Sequence, residues 1–157
     1  FGSRLIQECL REAKTDHLPG VSVITSKQAM LADGGIFLRN GFELAGKAER
    51  FELFIKPLKK KFETPTFTNW KKERETLTGW HLIYSHQCPF HQKAADAIQE
   101  AAFENDIEIN VKEVDTYSEA QRSPSPYGVF SLVRDGRLLA DHYISKTRFM
   151  NILRKEI

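Results

Sequence analysis

Cys88-Pro89-Phe90-His91 sets a thiol and an imidazole three residues apart, with a second imidazole, His86, two residues upstream. The thiolate is the reactive form of cysteine, and a helix start stabilises it through the dipole and the unpaired N–H groups. A protonated His86 or His91 would add positive charge. Cys88 is therefore a candidate reactive thiol. The dithiol pattern Cys-x-x-Cys is incomplete, because His91 stands where a resolving thiol would be. Disulfide exchange within this loop lacks its second sulfur. His86, Cys88 and His91, with His142 from farther along, have the chemistry of zinc ligands. No second Cys/His pair accompanies them, and no metal is expected. Asp141-His142 has the residue types of an orienter and a base, without a serine elbow to serve.

The surrounding pattern must position these groups. Trp80–Ser85 reads as a strand, and Cys88-Pro89 opens a helix through Ala94, Ala95, Ile98, Ala102 and Phe103. Ile107–Val114 is a second strand and Ser118–Arg122 a short helix. Gly128–Val133 and Leu138–His142 flank Asp135-Gly136, a strong hairpin signal. Ser145 can cap a last helix carrying Phe149, Ile152 and Leu153. The order is βαβαββα.

Upstream, Leu5, Ile6, Cys9, Leu10 and Ala13 recur at helical spacing between Ser3 and Lys14. Leu18-Pro19-Gly20 ends that helix, with His17 on the surface, and Val21–Thr25 alternates as a strand. Lys27 to Arg39 reads as a helix weakened by Gly34-Gly35 and stopped by Asn40-Gly41, with Gly41 suited to the left-handed position. Phe42–Ala45 and Arg50–Ile55 form an antiparallel pair. Between the two runs lies Phe62–Thr78, which has no sustained apolar period, preceded by Lys59-Lys60-Lys61. The expected organisation is a unit over 1–58, a connector over 59–78 and a unit over 79–157. The fold class is α/β (α+β).

Composition narrows the function classes. The chain has 157 residues, 41% hydrophobic and 28% charged, which is globular. A net charge of +2 gives no case for nucleic acid. No apolar run approaches a membrane span of roughly 20 residues. Arg4, Glu8, Arg11 and Glu12 interrupt any signal-peptide core at the N-terminus. Two distant cysteines, Cys9 and Cys88, fit a reducing cytoplasm better than a disulfide scaffold.

Gly2-Ser3-Arg4-Leu5 at a helix start, then a strand, then Phe37-Leu38-Arg39-Asn40-Gly41-Phe42, resembles the second half of a GCN5-related N-acetyltransferase (GNAT) domain. The resemblance implies acetyl transfer from acetyl-CoA to an amine. In that family a Gln/Arg-x-x-Gly-x-Gly/Ala loop precedes the helix and holds the cofactor pyrophosphate; here its last two positions are Phe1 and Gly2. It places Gly2, Ser3 and Arg4 at the pyrophosphate and Ser26 where an asparagine often contacts the cofactor. Phe37 falls where many members have a tyrosine general acid, and a phenyl ring has no proton to give. The same resemblance implies that the remainder of the domain comes from upstream sequence or from a second copy in a homodimer.

Downstream, the βαβαββα order around Cys88 resembles a thioredoxin fold. Gln87-Cys88-Pro89-Phe90, Glu119-Ala120-Gln121-x-Ser123-Pro124 and Ala140-Asp141-His142-x-Ile144-Ser145 resemble the YoaP-like family, found fused behind bacterial acetyltransferase domains. Thioredoxins place a cis proline just before the third strand; that place falls near Gly128, two residues after Pro126. A thiol redox or peptide-binding module centred on Cys88 is the competing reading. A noncatalytic domain that binds a substrate or partner is a third.

Overall fold

The computed structural model describes residues 1–27 and 31–156. The chain is mixed α and β, with six helices and two sheets among the described residues. It divides into two compact units, Phe1–Phe67 and Thr68–Ile157.

In the first unit, α1 (Gly2–Thr15) is followed by β1 (Gly20–Thr25), α2 (Gly34–Arg39), β2 (Glu43–Ala48) and β3 (Phe51–Pro57). The three strands form an antiparallel sheet in the order β1-β3-β2. A bulge between Leu44 and Gly46 breaks the register of β2. Alternation along β3 puts Phe51, Leu53 and Ile55 on one face and Phe54 on the other. Phe54 joins Leu10 and Phe42 in a cluster edged by Ile6, Val21, Val23 and Phe37. The buried stripe of α1 is thus Leu10 and Ala13, with Ile6 beside it. Leu5 and Cys9, expected on that face, are exposed. The cluster contacts a narrower arc of the helix than its apolar residues span.

The helix expected from Lys27 to Arg39 is shorter. It begins at Gly34, where Asp33 is the N-cap and its Oδ1 accepts from Gly35 N at 2.8 Å. The glycine pair therefore starts the helix rather than weakening its middle. A Cβ on Gly34 would lie 2.5 Å from the Phe54 ring, so this close approach of α2 to the sheet requires glycine. The part of the expected helix at 28–30 lies outside the described residues. At the other end Gly41 takes φ +75°. Gly41 N donates to Leu38 O at 3.0 Å and Phe42 N to Phe37 O at 3.1 Å, a Schellman ending.

The second unit starts earlier than its strands suggest. The segment expected to be a connector contains α3 (Trp70–Glu75), capped by Asn69, with Trp70 buried. Arg74 and Lys71 lie over the indole ring at 5.4 and 5.1 Å. Then follow β4 (Trp80–Tyr84), α4 (Pro89–Glu104), β5 (Ile109–Glu113), α5 (Tyr117–Gln121), β6 (Phe130–Arg134), β7 (Arg137–Ala140) and α6 (Lys146–Glu156). The sheet order is β5-β4-β6-β7, with β4 and β5 parallel and the other pairs antiparallel. Asp135 and Gly136 both take positive φ, as a tight two-residue hairpin of the primed type requires.

Trp80, Leu82 and Tyr84 alternate onto one face of the sheet with Phe130 and Leu132, where α4 and α6 cover them. The contact face of α4 is Ala94, Ala95, Ile98, Ala101 and Ala102. Phe103, expected on it, points away and is 85% exposed, because its position lies about 140° around the helix from Ile98. Ser145 caps α6 by accepting from Arg148 N at 3.2 Å. Lys146 in its first turn reaches Glu100 and Glu104 of α4, each at 3.0 Å. No peptide bond among the described residues is cis, Pro126 included.

Candidate functional site

Cys88 is the N-cap of α4, half-buried and free, with extended backbone angles and no side-chain capping bond. Pro89 follows at the first helical turn, where its missing N–H costs nothing. The loop from Ser85 is fixed at both ends. Ser85 N donates to Val129 O at 3.0 Å, and His91 N donates to Cys88 O at 2.9 Å. His91 is buried, and its Nδ1 lies 3.0 Å from Ser85 O. A carbonyl can only accept, so Nδ1 carries the proton and Nε2 of the neutral ring does not.

Burial pushes the His91 pKa down, against a smaller opposing effect of the Ser85 hydrogen bond. The imidazole is therefore held neutral rather than cationic. His86 lies with its Nε2 2.5 Å from Glu113 Oε1, so any charge it gains is matched by that carboxylate. Burial thus works against a cationic His91 beside the thiol, while His86 is engaged with Glu113. Tyr127 stands close enough to Cys88 for the sulfur to act with burial, the larger effect, in raising the phenol pKa above 10.0.

His142 Nδ1 pairs with Asp141 Oδ1 at 2.9 Å. Among the described residues no three His, Cys, Asp or Glu side chains come together as a group that could hold a metal ion. Next to the Cys88 loop, Ser85, His86, Asp115, Thr116, Tyr117 and Val129 contribute to a cavity of about 310 Å³. Sequence reasoning missed this cavity. Its one advance signal was Thr116 three residues before Glu119, a capping box that fixes the loop after β5.

In the first unit, Gly2, Ser3 and Arg4 form the opening turn of α1. The N-cap is Phe1, whose side chain cannot accept, and no side chain caps that turn. A Cβ on Gly2 would meet Ile36 Cδ1 at 2.7 Å, the tip of a side chain on α2. Ser3 Oγ accepts from Asn40 Nδ2 at 3.1 Å, while Asn40 Oδ1 accepts from Gln7 at 2.9 Å. The Ser3 hydroxyl thus ties α1 to the end of α2, and Arg4 is exposed. Ser26, just past β1, is buried. Phe37 sets its ring edge-on against Phe42 at 5.4 Å and belongs to the apolar cluster. Lys27, Asp33, Gly34, Leu38, Lys47 and Phe54 help line a cleft of about 420 Å³ beside the start of α2. Lys47 is paired with Glu52 there at 2.8 Å.

Comparison with known proteins adds two findings. Residues 109–151 match the family described as YoaP-like. Over 154 residues, 96% of this chain, the sequence is 26% identical to the "Uncharacterized N-acetyltransferase YoaP" of Bacillus subtilis (strain 168). The chain spans 61% of that relative's length. Together they support an acetyltransferase-like relationship.

Proposed function

We propose that this chain is part of an N-acetyltransferase of the GNAT type that transfers acetyl from acetyl-CoA to a primary amine. The observation that carries the reading is the alignment with an N-acetyltransferase across both units of the chain. The strand order β1-β3-β2, with α1 before it and α2 between, supports a GNAT-like half domain. The order β5-β4-β6-β7, with its single parallel pair, supports a thioredoxin-like second unit. No described helix is long and apolar enough to cross a membrane. Both cysteines are free, which goes with a reducing cytoplasm.

Acetyl-CoA supplies an activated thioester, and the residues of this chain contribute binding and placement. The uncapped first turn of α1 presents N–H groups and the positive end of a 14-residue helix to a pyrophosphate. Arg4 adds a charge that is always present. Ser26 sits at the end of β1, within the same unit. In the reaction the neutral amine nitrogen attacks the thioester carbonyl, the C–S bond breaks, the nitrogen gives up one proton to a base or to water as the amide forms, and the departing thiolate takes up a proton. Phe37 cannot supply that proton. In this reading it holds α2 in place through Phe42, and the proton comes from another donor or from water.

Isothermal titration of acetyl-CoA into the 157-residue chain tests the reading. Saturable one-to-one binding is expected, weakened roughly tenfold in Arg4→Ala through loss of a charge-assisted contact. A folded chain that takes up no acetyl-CoA would remove the pyrophosphate role from Gly2, Ser3 and Arg4.

A further inference from the structure

The segment from Leu58 to Phe67 forms neither helix nor strand, yet it belongs to the first unit. Strand pairing fixes which side of the sheet it meets. Residues opposite one another in an antiparallel ladder point to the same face. Gly20 stands beside Pro57, Ser22 and Glu43 flank Ile55, and Ile24 and Gly46 flank Leu53. Gly20, Ile55, Leu53 and Gly46 therefore share the face away from Phe54 and α1.

Two rings mark the path of the segment over that face. The Phe62 ring fills the space that a Cβ on Gly20 of β1 would need. The Phe67 ring lies 3.9 Å from where a Cβ on Gly46 of β2 would stand. Between those strands runs β3, where Ile55 is 7% exposed. The start of the segment is pinned: Leu58 N and Lys59 N donate to Pro19 O at 2.9 and 3.1 Å, and Lys59 Nζ donates to His17 O. From Lys60 to Phe67, no backbone N–H or carbonyl joins a backbone–backbone hydrogen bond among the described residues.

We infer that Leu58–Phe67 is a lid over the second face of this sheet, and that it opens while both units stay folded. Local opening belongs to elements with few buried apolar contacts and no backbone ladder. Bowing outward between Lys59 and Thr68 breaks no strand pairing. It gives up the seats of two half-buried rings and uncovers Ile55. The bonds to Pro19 O are the hinge. The inference stands whether or not the first unit holds acetyl-CoA.

Thiol labelling of the full 157-residue chain is the test. Cys9→Ser and Cys88→Ser remove the native thiols, and Ile55→Cys puts one beneath the lid. Maleimide labelling of the folded chain is expected at a rate nearly flat with urea below the dichroism transition, because a local opening exposes little surface. Phe67→Ala should raise that rate about tenfold, with the urea midpoint of tryptophan fluorescence in the second unit unmoved. Trypsin makes the same comparison without Ile55→Cys, should that variant fail to fold. To cut after Lys60 or Lys61 it must draw Phe62 off Gly20, and Phe67→Ala should be cut about tenfold faster. Labelling that rises only through the dichroism transition, or a Phe67→Ala chain labelled or cut no faster than its parent, would overturn the proposal.

Discussion

Among the described residues the second unit gathers fourteen buried residues into one apolar cluster, while the helix-side cluster of the first unit has three. Both units lay helices on a small sheet, so the difference lies in how much helix surface the sheet meets. In the second unit two helices of 16 and 11 residues share one face of four strands. In the first, a 14-residue helix meets three strands through a narrow stripe, and the six-residue α2 is held largely by its ends. Stability in the second unit therefore comes from apolar burial. In the first, Phe51, Leu53 and Ile55 are buried on the face of the sheet away from that cluster, and caps, glycine contacts and the Asn40 bridge tie the helices in place.

That contrast can be broken experimentally because both tryptophans of the chain, Trp70 and Trp80, belong to the second unit. Tryptophan fluorescence reports that unit, and far-UV circular dichroism reports both. The largest effect is expected from Ile98→Ala. Its side chain is fully buried against the sheet, and removing it should cost about 4 kcal/mol, seen as an earlier fluorescence transition in urea. A loss under about 1 kcal/mol would mean that the large cluster is not what holds this unit.

Gly41→Ala should cost about 1–2 kcal/mol, because an L side chain at φ +75° meets the neighbouring carbonyl. Its mark should be a shift in the dichroism transition with the fluorescence transition in place. A shift of both together would show that the units do not unfold separately.

The smallest effect is expected from pH. His91 is buried neutral with its pKa below the ordinary 6.5, so the unfolded chain binds its proton first. Its contribution to stability is complete above about pH 6.5 and is lost as the pH falls through that value toward the folded pKa. Urea midpoints by fluorescence should therefore drop between pH 7 and 5 in the native chain and drop less in His91→Asn.

Legibility in the sequence followed the same divide. The second unit's seven elements from β4 to α6 follow from periodicity and turn chemistry, since Asp135-Gly136, Ser145 and the Cys88-Pro89 opening each have one strong local meaning. What escaped was α3. Its six residues bury one side chain, Trp70, and no period can emerge from a single apolar position. In the first unit the Asn40-Gly41 stop was legible because the left-handed position favours glycine. The start of α2 was not, since Gly34-Gly35 reads as helix-breaking until the Phe54 ring beneath it is known. At the candidate site, Cys88 at a helix start could be read directly. The neutral state of His91 and the pairing of His86 with Glu113 depend on groups brought together by β4 and β5, which spacing along the chain does not encode.

The alanine face of α4 has a mechanical meaning. Ala94, Ala95, Ala101 and Ala102 have no χ1, so this contact gives up no rotamer freedom on folding and offers none for adjustment afterwards. The buried face of α4 is thus made of small side chains, with Ile98 its one long aliphatic residue and His91 at its start. A longer side chain on that face has to displace buried neighbours. Because Cys88 caps this same helix, whatever shifts the alanine face shifts the seat of the thiol as well.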